Sequence, residues 1–135
     1  MSTSRPPFRH TLRVYWEDTD AGGVVFYANY LKYFERARTE YLRVRGIGQQ
    51  QLRDQTGAMF IVTDTQVQYR RPARLDDLLE ITVDLQQAGG ATMTFAQHAY
   101  CGERLLAEGT IRIGCVDAGT FRPRRIPTPV LQTLA

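Results

Sequence analysis

The stretch "WEDTDAGGVVFYANYLKYFERARTEYL", residues 16–42, joins a loop crowded with acids to the longest helical pattern of the chain. The acids lie in "EDTD", and a Gly-Gly pair follows them. From Tyr27 onward, apolar residues recur at helical spacing, while charged residues occupy the opposite face. This pattern predicts an amphipathic helix of about 19 residues that begins at Tyr27 and stops near Gly46.

Segments with a period of two residues surround this helix. Leu12, Val14 and Trp16 alternate with polar residues, so we expect a first strand from Arg9 to Glu17, followed by a tight loop. After the helix, the same period predicts four further strands. These cover residues 58–71, 78–87, 92–101 and 105–117, and turn signals such as Gly-Gly separate them.

Finer features of the strands and of the remaining segments also follow from the pattern. The first strand after the helix should carry one set of alternating residues on a single face: Ile61, Thr63, Thr65, Val67 and Tyr69. Pro72 should lie at a strand end, because proline cannot donate a hydrogen bond within a sheet. We expect short helices within residues 47–57 and after Pro127.

These elements predict an α+β fold in a single domain that spans residues 1–135. One amphipathic helix must bury its apolar face, and an antiparallel sheet with one apolar face is the available partner. We therefore expect a curved five-stranded antiparallel sheet wrapped around the long helix. The edges of such a sheet would invite pairing with a second copy of the chain.

Composition excludes several classes of protein. Hydrophobic residues are 43% and charged residues 23% of the chain, which is typical of a globular protein. No stretch approaches the roughly 20 apolar residues that a membrane span needs, so any membrane association should be peripheral. The N-terminus has no apolar signal-peptide core, and Cys101 and Cys115 have no metal-binding spacing. A cytoplasmic protein with reduced thiols is the expectation.

The basic residues are almost all arginine. The formal net charge is +3 and the pI is about 9.1. Arginines cluster in two runs, one comprising Arg70, Arg71 and Arg74 and the other Arg122, Arg124 and Arg125. Neither run has the density of a nucleic-acid-binding tail. The arginine bias fits either a phosphorylated ligand, which arginine binds bidentately, or simple codon bias.

The acidic loop has several competing interpretations. A calcium loop would need a closing glutamate, and Asn29 stands at that position. A zinc site would need His10 or His98 to have a ligand partner, and a serine triad would need a GxSxG motif. Capping of the helix by one acid is the simplest structural interpretation and contributes about 0.5–2 kcal/mol. These considerations favour no metal at this loop.

Catalysis is the other interpretation of the same residues. Apolar residues at the start of the helix would exclude water from a carboxylate. The free N–H groups of the first helical turn could stabilise a developing oxyanion. A carboxylate beside such N–H groups can hydrolyse an activated acyl group. Capping and catalysis both stay open on the pattern alone.

The segment "RVYWEDTDAGGVVFYANY" resembles the signature of the 4-hydroxybenzoyl-CoA thioesterase family. The continuation "LKYFERARTEYL" and the later "RRPARLDDLLEI" resemble the YbgC-type acyl-CoA thioesterases, a branch associated with the Tol-Pal system. The resemblance covers nearly the whole chain. It implies the hotdog fold, a homodimer or homotetramer, and a site close to a subunit interface.

The resemblance also implies residue roles. Asp20 corresponds to the catalytic carboxylate, as general base or nucleophile, and the backbone N–H of Tyr27 corresponds to the oxyanion donor. Relatives in the Tol-Pal branch often have histidine where this chain has Tyr27, whereas the 4-hydroxybenzoyl-CoA enzymes have tyrosine, and this difference weakens the transfer of acyl-chain preference. Asp18 would stabilise the loop or cap the helix.

The implied substrate is an acyl-CoA or an acyl group on acyl carrier protein, with no prosthetic group and no nucleic-acid partner. Arg70, Arg74 and Arg122 are the candidate ligands of the coenzyme A phosphates. A non-catalytic acyl-CoA-binding protein and a hotdog hydratase or dehydratase are the alternatives. The hydratase would need a histidine acting with a carboxylate, and no histidine lies in or near the acidic loop.

Overall fold

A computed structural model describes residues 7–135 and has the predicted order of one strand, a long helix and four strands. The first six residues of the N-terminal segment examined for a signal peptide lie outside the described residues. The helices and strands are β1 (Phe8–Arg13), α1 (Asn29–Arg43), α2 (Gln49–Thr56), β2 (Ala58–Tyr69), β3 (Leu78–Gly89), β4 (Thr92–Cys101), β5 (Arg104–Asp117) and α3 (Thr128–Leu134). The short helices expected before β2 and after Pro127 are both present.

The five strands form one antiparallel sheet in the order β1-β3-β4-β5-β2. Gly-Gly at residues 89 and 90 does mark the turn between β3 and β4, as expected. The link between β2 and β3 is different, because these two strands lie apart in the sheet. β1 and β2 are therefore the two edge strands, and β2 is the longer of them.

The first strand is shorter than predicted. β1 ends at Arg13 instead of Glu17, and a single turn of 3-10 helix covers Trp16–Asp18. Val14 is fully buried, as the alternation requires, but Trp16 is 79% exposed. The chain leaves the sheet because Asp18 N–H donates to the carbonyl of Tyr15, which starts the turn.

The long helix starts later than predicted. It covers 15 residues instead of about 19, and Tyr27 and Val44 lie just outside its ends, where they are exposed. The core role expected for Tyr30, Phe34 and Tyr41 is confirmed, because all three are buried. The chain then turns near Gly46, whose φ of 80° is the left-handed conformation typical of a helix end.

The inner face of the sheet packs closely against α1. Met93, Phe95 and Ala99 of β4 are buried beneath the helix. Gly109 of β5 lies where a Cβ atom would stand 3.0 Å from the carbonyl oxygen of Gln66 and 3.3 Å from the ring of Phe34. Glycine at this position therefore lets the helix approach the sheet.

The face predicted for β2 is wrong because the strand contains a bulge. The register with β5 shifts between Val62 and Asp64, so Thr63 has no partner in the ladder. Ile61 pairs with Gly114, whereas Thr65 pairs with Ile111, and these two partners lie on opposite faces of β5. The alternation of side chains between the two faces shifts by one residue at the bulge. The five residues predicted to share one face are therefore divided between both faces. Pro72 follows the end of β2, as predicted.

No helix among residues 7–135 is both long enough and apolar enough to cross a membrane.

Candidate active site

The acidic loop folds back on itself and fixes the Asp20 side chain. Asp20 N–H donates to the carbonyl of Val24 at 2.9 Å, and Gly23 N–H donates to the carbonyl of Asp20 at 3.0 Å. The Oδ1 atom of Asp20 accepts the N–H of Gly22 at 2.8 Å. The Oδ2 atom accepts no hydrogen bond from residues 7–135, and the residue is exposed. One carboxylate oxygen thus orients the side chain, and the other is available for chemistry.

The two glycines make this loop conformation accessible. A Cβ atom on Gly22 would lie 3.2 Å from Asp20 Oδ1, closer than most side-chain contacts. Gly23 has a φ of 79°, a left-handed conformation that favours glycine. The glycines therefore place the Asp20 carboxylate as well as turning the chain.

The start of α1 leaves backbone donors free beside this loop. Phe26 N–H donates to the carbonyl of Asp18 at 2.9 Å, and Asn29 N–H donates to the carbonyl of Phe26 at 2.8 Å. Between them, the N–H groups of Tyr27 and Ala28 find no acceptor among residues 7–135. The positive end of the helix dipole lies at the same place. The predicted oxyanion donor therefore belongs to the turn that enters the helix.

Asp18 stabilises the loop, one of the two roles predicted for it. The residue is only 8% exposed. Its Oδ2 accepts the N–H of Tyr15 at 2.8 Å, and its Oδ1 accepts the side-chain amide of Asn29 at 3.1 Å. The helix itself has no side-chain cap at Ala28. Asp18 and Asp20 are only two residues apart, but their surroundings differ. Asp18 is buried and both of its carboxylate oxygens accept hydrogen bonds, whereas Asp20 is exposed and one of its oxygens is free.

The turn that carries the free donors also bears exposed aromatic side chains. The ring of Tyr27 lies 4.9 Å from that of Phe26 and 6.0 Å from that of Tyr69. Tyr27 is 64% exposed, and Phe26, Tyr69 and Trp16 are exposed as well. The pKa of Tyr69 is raised, chiefly by the partial burial of its hydroxyl and secondly by the charge interaction with Tyr27. The expectation that apolar residues close the site to water is therefore not met within one chain, where the site lies open.

A second segment, residues 70–77, packs against the acidic loop. Val25 N–H donates to the carbonyl of Ala73 at 2.8 Å, and Ala73 N–H donates to the hydroxyl of Tyr30 at 3.1 Å. Burial raises the pKa of Tyr30, and the hydrogen bond from Ala73 opposes that effect. Val24 pairs with Arg74 in an isolated bridge, so the exposed Arg74 lies beside the loop of Asp20.

The three arginines predicted to bind phosphate do not come together in one chain. Only Arg74 adjoins the acidic loop. The Nε atom of Arg70 donates to Glu108 Oε2 at 2.9 Å, in an ion pair on the outer face of the sheet. Arg122 lies beyond β5, where its carbonyl accepts the N–H of Asp117, the residue paired with Ala58 at the start of β2. Arg122 is thus at the opposite end of β2 from Tyr69, roughly 35 Å away.

Sequence analysis missed two residues of this region. Asn29 is 8% exposed, and its amide donates both to Oδ1 and, at 3.3 Å, to the carbonyl of Asp18. Tyr33 is buried, and its hydroxyl faces the Asp18 carboxylate without a hydrogen bond of standard geometry among the described residues. Burial and the neighbouring Asp18 carboxylate raise the pKa of Tyr33. The one available signal was the spacing of 29, 33 and 37, which places polar Asn29 on the buried stripe of the helix.

Metal-binding groups do not assemble in this region. Among residues 7–135, no three His, Cys, Asp or Glu side chains gather so that they could hold a metal ion. His98 lies on β4, where its Nε2 is 4.0 Å from Glu108 on the outer face of the sheet.

Comparison with known proteins identifies the family of the chain. The sequence profile described as the thioesterase-like superfamily matches residues 14–134. The chain is 42% identical over 123 residues to "Acyl-CoA thioesterase YbgC" of Haemophilus influenzae, with 91% of this chain and 90% of that protein covered. It is 33% identical over 124 residues to the protein of the same name from Helicobacter pylori, with 85% and 90% covered.

Solved structures also include thioesterases that superpose on this chain. The "Probable Thioesterase from Bartonella henselae" superposes with a TM-score of 0.84 at 33% identity, covering 90% of this chain and 100% of that one. The hotdog architecture expected from the sequence is thereby confirmed. With a family match that spans nearly all of its length, this chain belongs to the thioesterase-like superfamily.

Proposed function

We propose that this protein is an acyl-CoA thioesterase, which hydrolyses an acyl-CoA to a free acid and the coenzyme A thiol. Two observations carry the proposal: the Tyr27 N–H has no acceptor among residues 7–135, and the Asp20 carboxylate, in the loop bonded to the same turn, has one unbonded oxygen, Oδ2. Relatives that are 42–43% identical are named acyl-CoA thioesterase or acyl-CoA thioester hydrolase, which supports the same reaction.

The mechanism uses these two groups together. The thioester carbonyl oxygen accepts the N–H of Tyr27, and the helix dipole stabilises the negative charge that develops on that oxygen. Asp20 then acts by one of two routes. As a general base it takes a proton from water, which attacks the carbonyl carbon. As a nucleophile it forms a mixed anhydride, which water hydrolyses in a second step. Both routes release the thiol and a carboxylic acid.

Neither alternative function gains support from a specific contact. A hydratase would need a histidine next to the catalytic carboxylate, whereas His98 lies beside Glu108 on the outer face of the sheet. A protein that only binds acyl-CoA would have no use for the free Asp20 Oδ2.

Assembly through β2 is part of the proposal. β2 is a 12-residue edge strand without proline, and Asp64 is its single charged residue. Such an edge is unprotected against pairing with another strand. Antiparallel pairing of two copies across a two-fold axis would bring the Ala58 end of one β2 to the Tyr69 end of the other. Copies paired in this way would form a homodimer, and two dimers would form a homotetramer.

This pairing also accounts for the separated arginines. Arg122 of the second copy would approach the site of the first, where Arg74 already lies. Arg70 is the weakest of the three candidates, because its guanidinium is engaged by Glu108. Acyl carrier protein as an alternative acyl donor, a link to the Tol-Pal system and a cytoplasmic location are further proposals, which follow from the resemblance or the sequence alone.

The test of the function is the substitution Asp20→Asn. General-base or nucleophilic catalysis contributes on the order of 10²–10⁴ in rate, so kcat should fall by that factor on every acyl-CoA that the wild type hydrolyses. Thiol release is the measurement, over a panel of aliphatic and aromatic acyl-CoAs, with hydration of a crotonyl thioester run in parallel.

Glu17→Gln is the matched control, since it neutralises an exposed acid in the same segment. It should keep wild-type kcat. Equal and mild losses of kcat in both variants would show that Asp20 has only a structural role. Hydration of the crotonyl thioester without thiol release would favour the hydratase.

A further inference from the structure

Asp18 is bonded to the chain on both sides of Tyr27. Its carbonyl accepts the N–H of Phe26 at 2.9 Å, one residue before Tyr27. Its carboxylate accepts the side-chain amide of Asn29 at 3.1 Å, two residues after Tyr27. The segment that carries the free N–H groups is thus held at both ends by a single residue.

The hydrogen bond between the Asn29 amide and the Asp18 carboxylate links the two parts of the site. Asp18 stands two residues before Asp20, and Asn29 stands two residues after Tyr27. The Asp18–Asn29 hydrogen bond therefore connects the loop of the carboxylate with the turn of the carbonyl donor. Both residues are 8% exposed, so water competes little for this bond. No side-chain cap at Ala28 takes over its role.

We infer that Asp18 and Asn29 are positioning residues for thioester hydrolysis, and that their hydrogen bond sets the Tyr27 N–H relative to the Asp20 carboxylate. The inference rests on the proposed function. Neither residue touches the reacting atoms. Their effect is geometric, and misplacing a catalytic group by about 1 Å lowers the rate by on the order of a hundredfold.

The chemistry of the pair permits a reciprocal exchange. In the wild type, Asp18 accepts two hydrogen bonds, one from Tyr15 N–H and one from the Asn29 amide. Asp18→Asn leaves a single side-chain oxygen for these two donors and turns an amide donor toward one of them. Asn29→Asp places two carboxylates against each other. Each single substitution therefore breaks the link between the loop and the turn.

The double variant Asp18→Asn/Asn29→Asp rebuilds the link with its direction reversed. The new amide at position 18 accepts Tyr15 N–H through its oxygen and donates through its nitrogen to the carboxylate at position 29. The pair keeps a total charge of −1. Only the longer bond from Asn29 to the carbonyl of Asp18, at 3.3 Å, is lost.

The experiment measures kcat and KM of folded protein for these variants. Each single variant should lose about ten- to a hundredfold in kcat, with little change in KM, because the lost geometry matters most in the transition state. The double variant should recover most of the loss. Glu17→Gln is the control, because it changes an exposed acid beside Asp18 without touching the hydrogen-bonded pair. It should retain wild-type kcat.

A second readout reports the carbonyl directly. A ketone analogue, in which methylene replaces the thioester sulfur of an acyl-CoA, binds without being hydrolysed. Its infrared carbonyl stretch should shift to lower frequency on binding to the wild type and to the double variant, and less on binding to either single variant. A purely structural role would change the melting temperature and leave this frequency unaltered in folded protein.

The outcomes separate the two proposals. A wild type that hydrolyses no thioester overturns the proposed function, and this inference falls with it. An active wild type whose single variants keep full kcat overturns the inference alone. The inference is also overturned if the folded double variant fails to recover, or if Glu17→Gln loses as much activity as Asn29→Asp.

Discussion

Asp18 and Asp20 are two residues apart in the candidate site, but they have different chemical roles because their surroundings differ. Asp18 is buried and uses both carboxylate oxygens as hydrogen-bond acceptors. Asp20 is exposed and uses one oxygen to accept the N–H of Gly22. A carboxylate whose two oxygens both accept hydrogen bonds within the chain has no free oxygen to take a proton from water or to attack a carbonyl. Asp20 therefore has the capacity for chemistry, and Asp18 has the capacity to hold the loop.

Arg74 is expected to bind a phosphate of coenzyme A. Arg74→Ala should raise KM for acyl-CoA about ten- to a hundredfold, because a charge-assisted phosphate contact contributes roughly 1.5–3 kcal/mol. kcat should stay nearly unchanged, since the phosphates lie far from the thioester carbon and the contact is equally strong in the ground and transition states. Steady-state kinetics at low and high salt are the measurement, and the effect should shrink at high salt.

An acyl-pantetheine thioester is the control substrate for Arg74, because it lacks the nucleotide phosphates. Arg74→Ala should not change its KM. Equal losses on both substrates would mean that Arg74 holds the fold or a subunit contact instead of a phosphate.

The sequence indicates some of these residues and conceals others. The acids and glycines of the loop stand out, and the resemblance to known thioesterases selects Asp20 over Asp18. Asn29 could not be predicted in the same way, because its partner Asp18 lies eleven residues earlier and meets it only after the loop has folded back. A side chain whose role depends on the path of a loop leaves no periodic signal.

At the scale of elements, the contact between α1 and β4 includes a buried polar pair. Arg38 is only 7% exposed, and its Nη1 donates to Gln97 Oε1 at 2.9 Å. The amide of Gln97 donates in turn to the carbonyls of Phe34 and Thr82, at 3.0 and 3.3 Å. Burial lowers the pKa of Arg38, and the charge of Glu35 partly offsets that effect. The pair therefore joins the centre of the helix to the sheet.

Substitutions in this pair should be strongly coupled. Gln97→Leu should lower the free energy of unfolding by about 1.5–3 kcal/mol, because it leaves the buried guanidinium without its acceptor. Arg38→Met should lower it by about 1–3 kcal/mol, because it leaves an amide oxygen without a donor. Urea denaturation of both single variants and of the double variant is the measurement.

The double variant Arg38→Met/Gln97→Leu should be less destabilised than the sum of the two, by about 1 kcal/mol or more. Simple additivity would show that the two side chains contribute independently, and that the Arg38–Gln97 contact itself does not couple the helix to the sheet.

Element boundaries follow from the sequence only where local pattern decides them. Gly46 and the Gly-Gly turn at residues 89–90 mark chain reversals that depend on backbone conformation, and both were predicted. The end of β1 was not, because Trp16 continues the alternation although the chain has already left the sheet. The bulge at Thr63 was missed as well, since the inserted residue is an ordinary strand former and only pairing with β5 reveals it.

At the scale of the whole molecule, two edges of the sheet differ in their protection. β1 has 6 residues and includes exposed Arg9 and Arg13, whereas β2 has 12 residues and a single charge. Charged residues on a short edge strand discourage pairing with another chain, and a long edge with few charges invites it. The sequence predicts a sheet with open edges. It could not predict that β2 would be one of them, because strand order depends on long-range contacts.

Thr65→Lys tests assembly through β2. Thr65 is exposed near the middle of this strand, and a lysine on an edge strand opposes pairing with a second copy. The wild type should have at least twice the 15.4 kDa mass of the chain, and the variant should have the mass of one chain. Because Arg122 of the second copy would no longer approach the site, KM for acyl-CoA should also rise about tenfold or more. Light scattering and kinetics at the same micromolar concentration are the measurements.

Thr11→Lys is the control on the opposite edge, because Thr11 is an exposed residue of β1. This variant should keep both the wild-type mass and the wild-type KM, since β1 takes no part in the proposed contact. A wild type that scatters as a 15.4 kDa monomer with full activity would contradict the shared site. If Thr65→Lys stays oligomeric and active while Thr11→Lys dissociates, the contact runs through β1, and Arg122 then has no route to the thioester site.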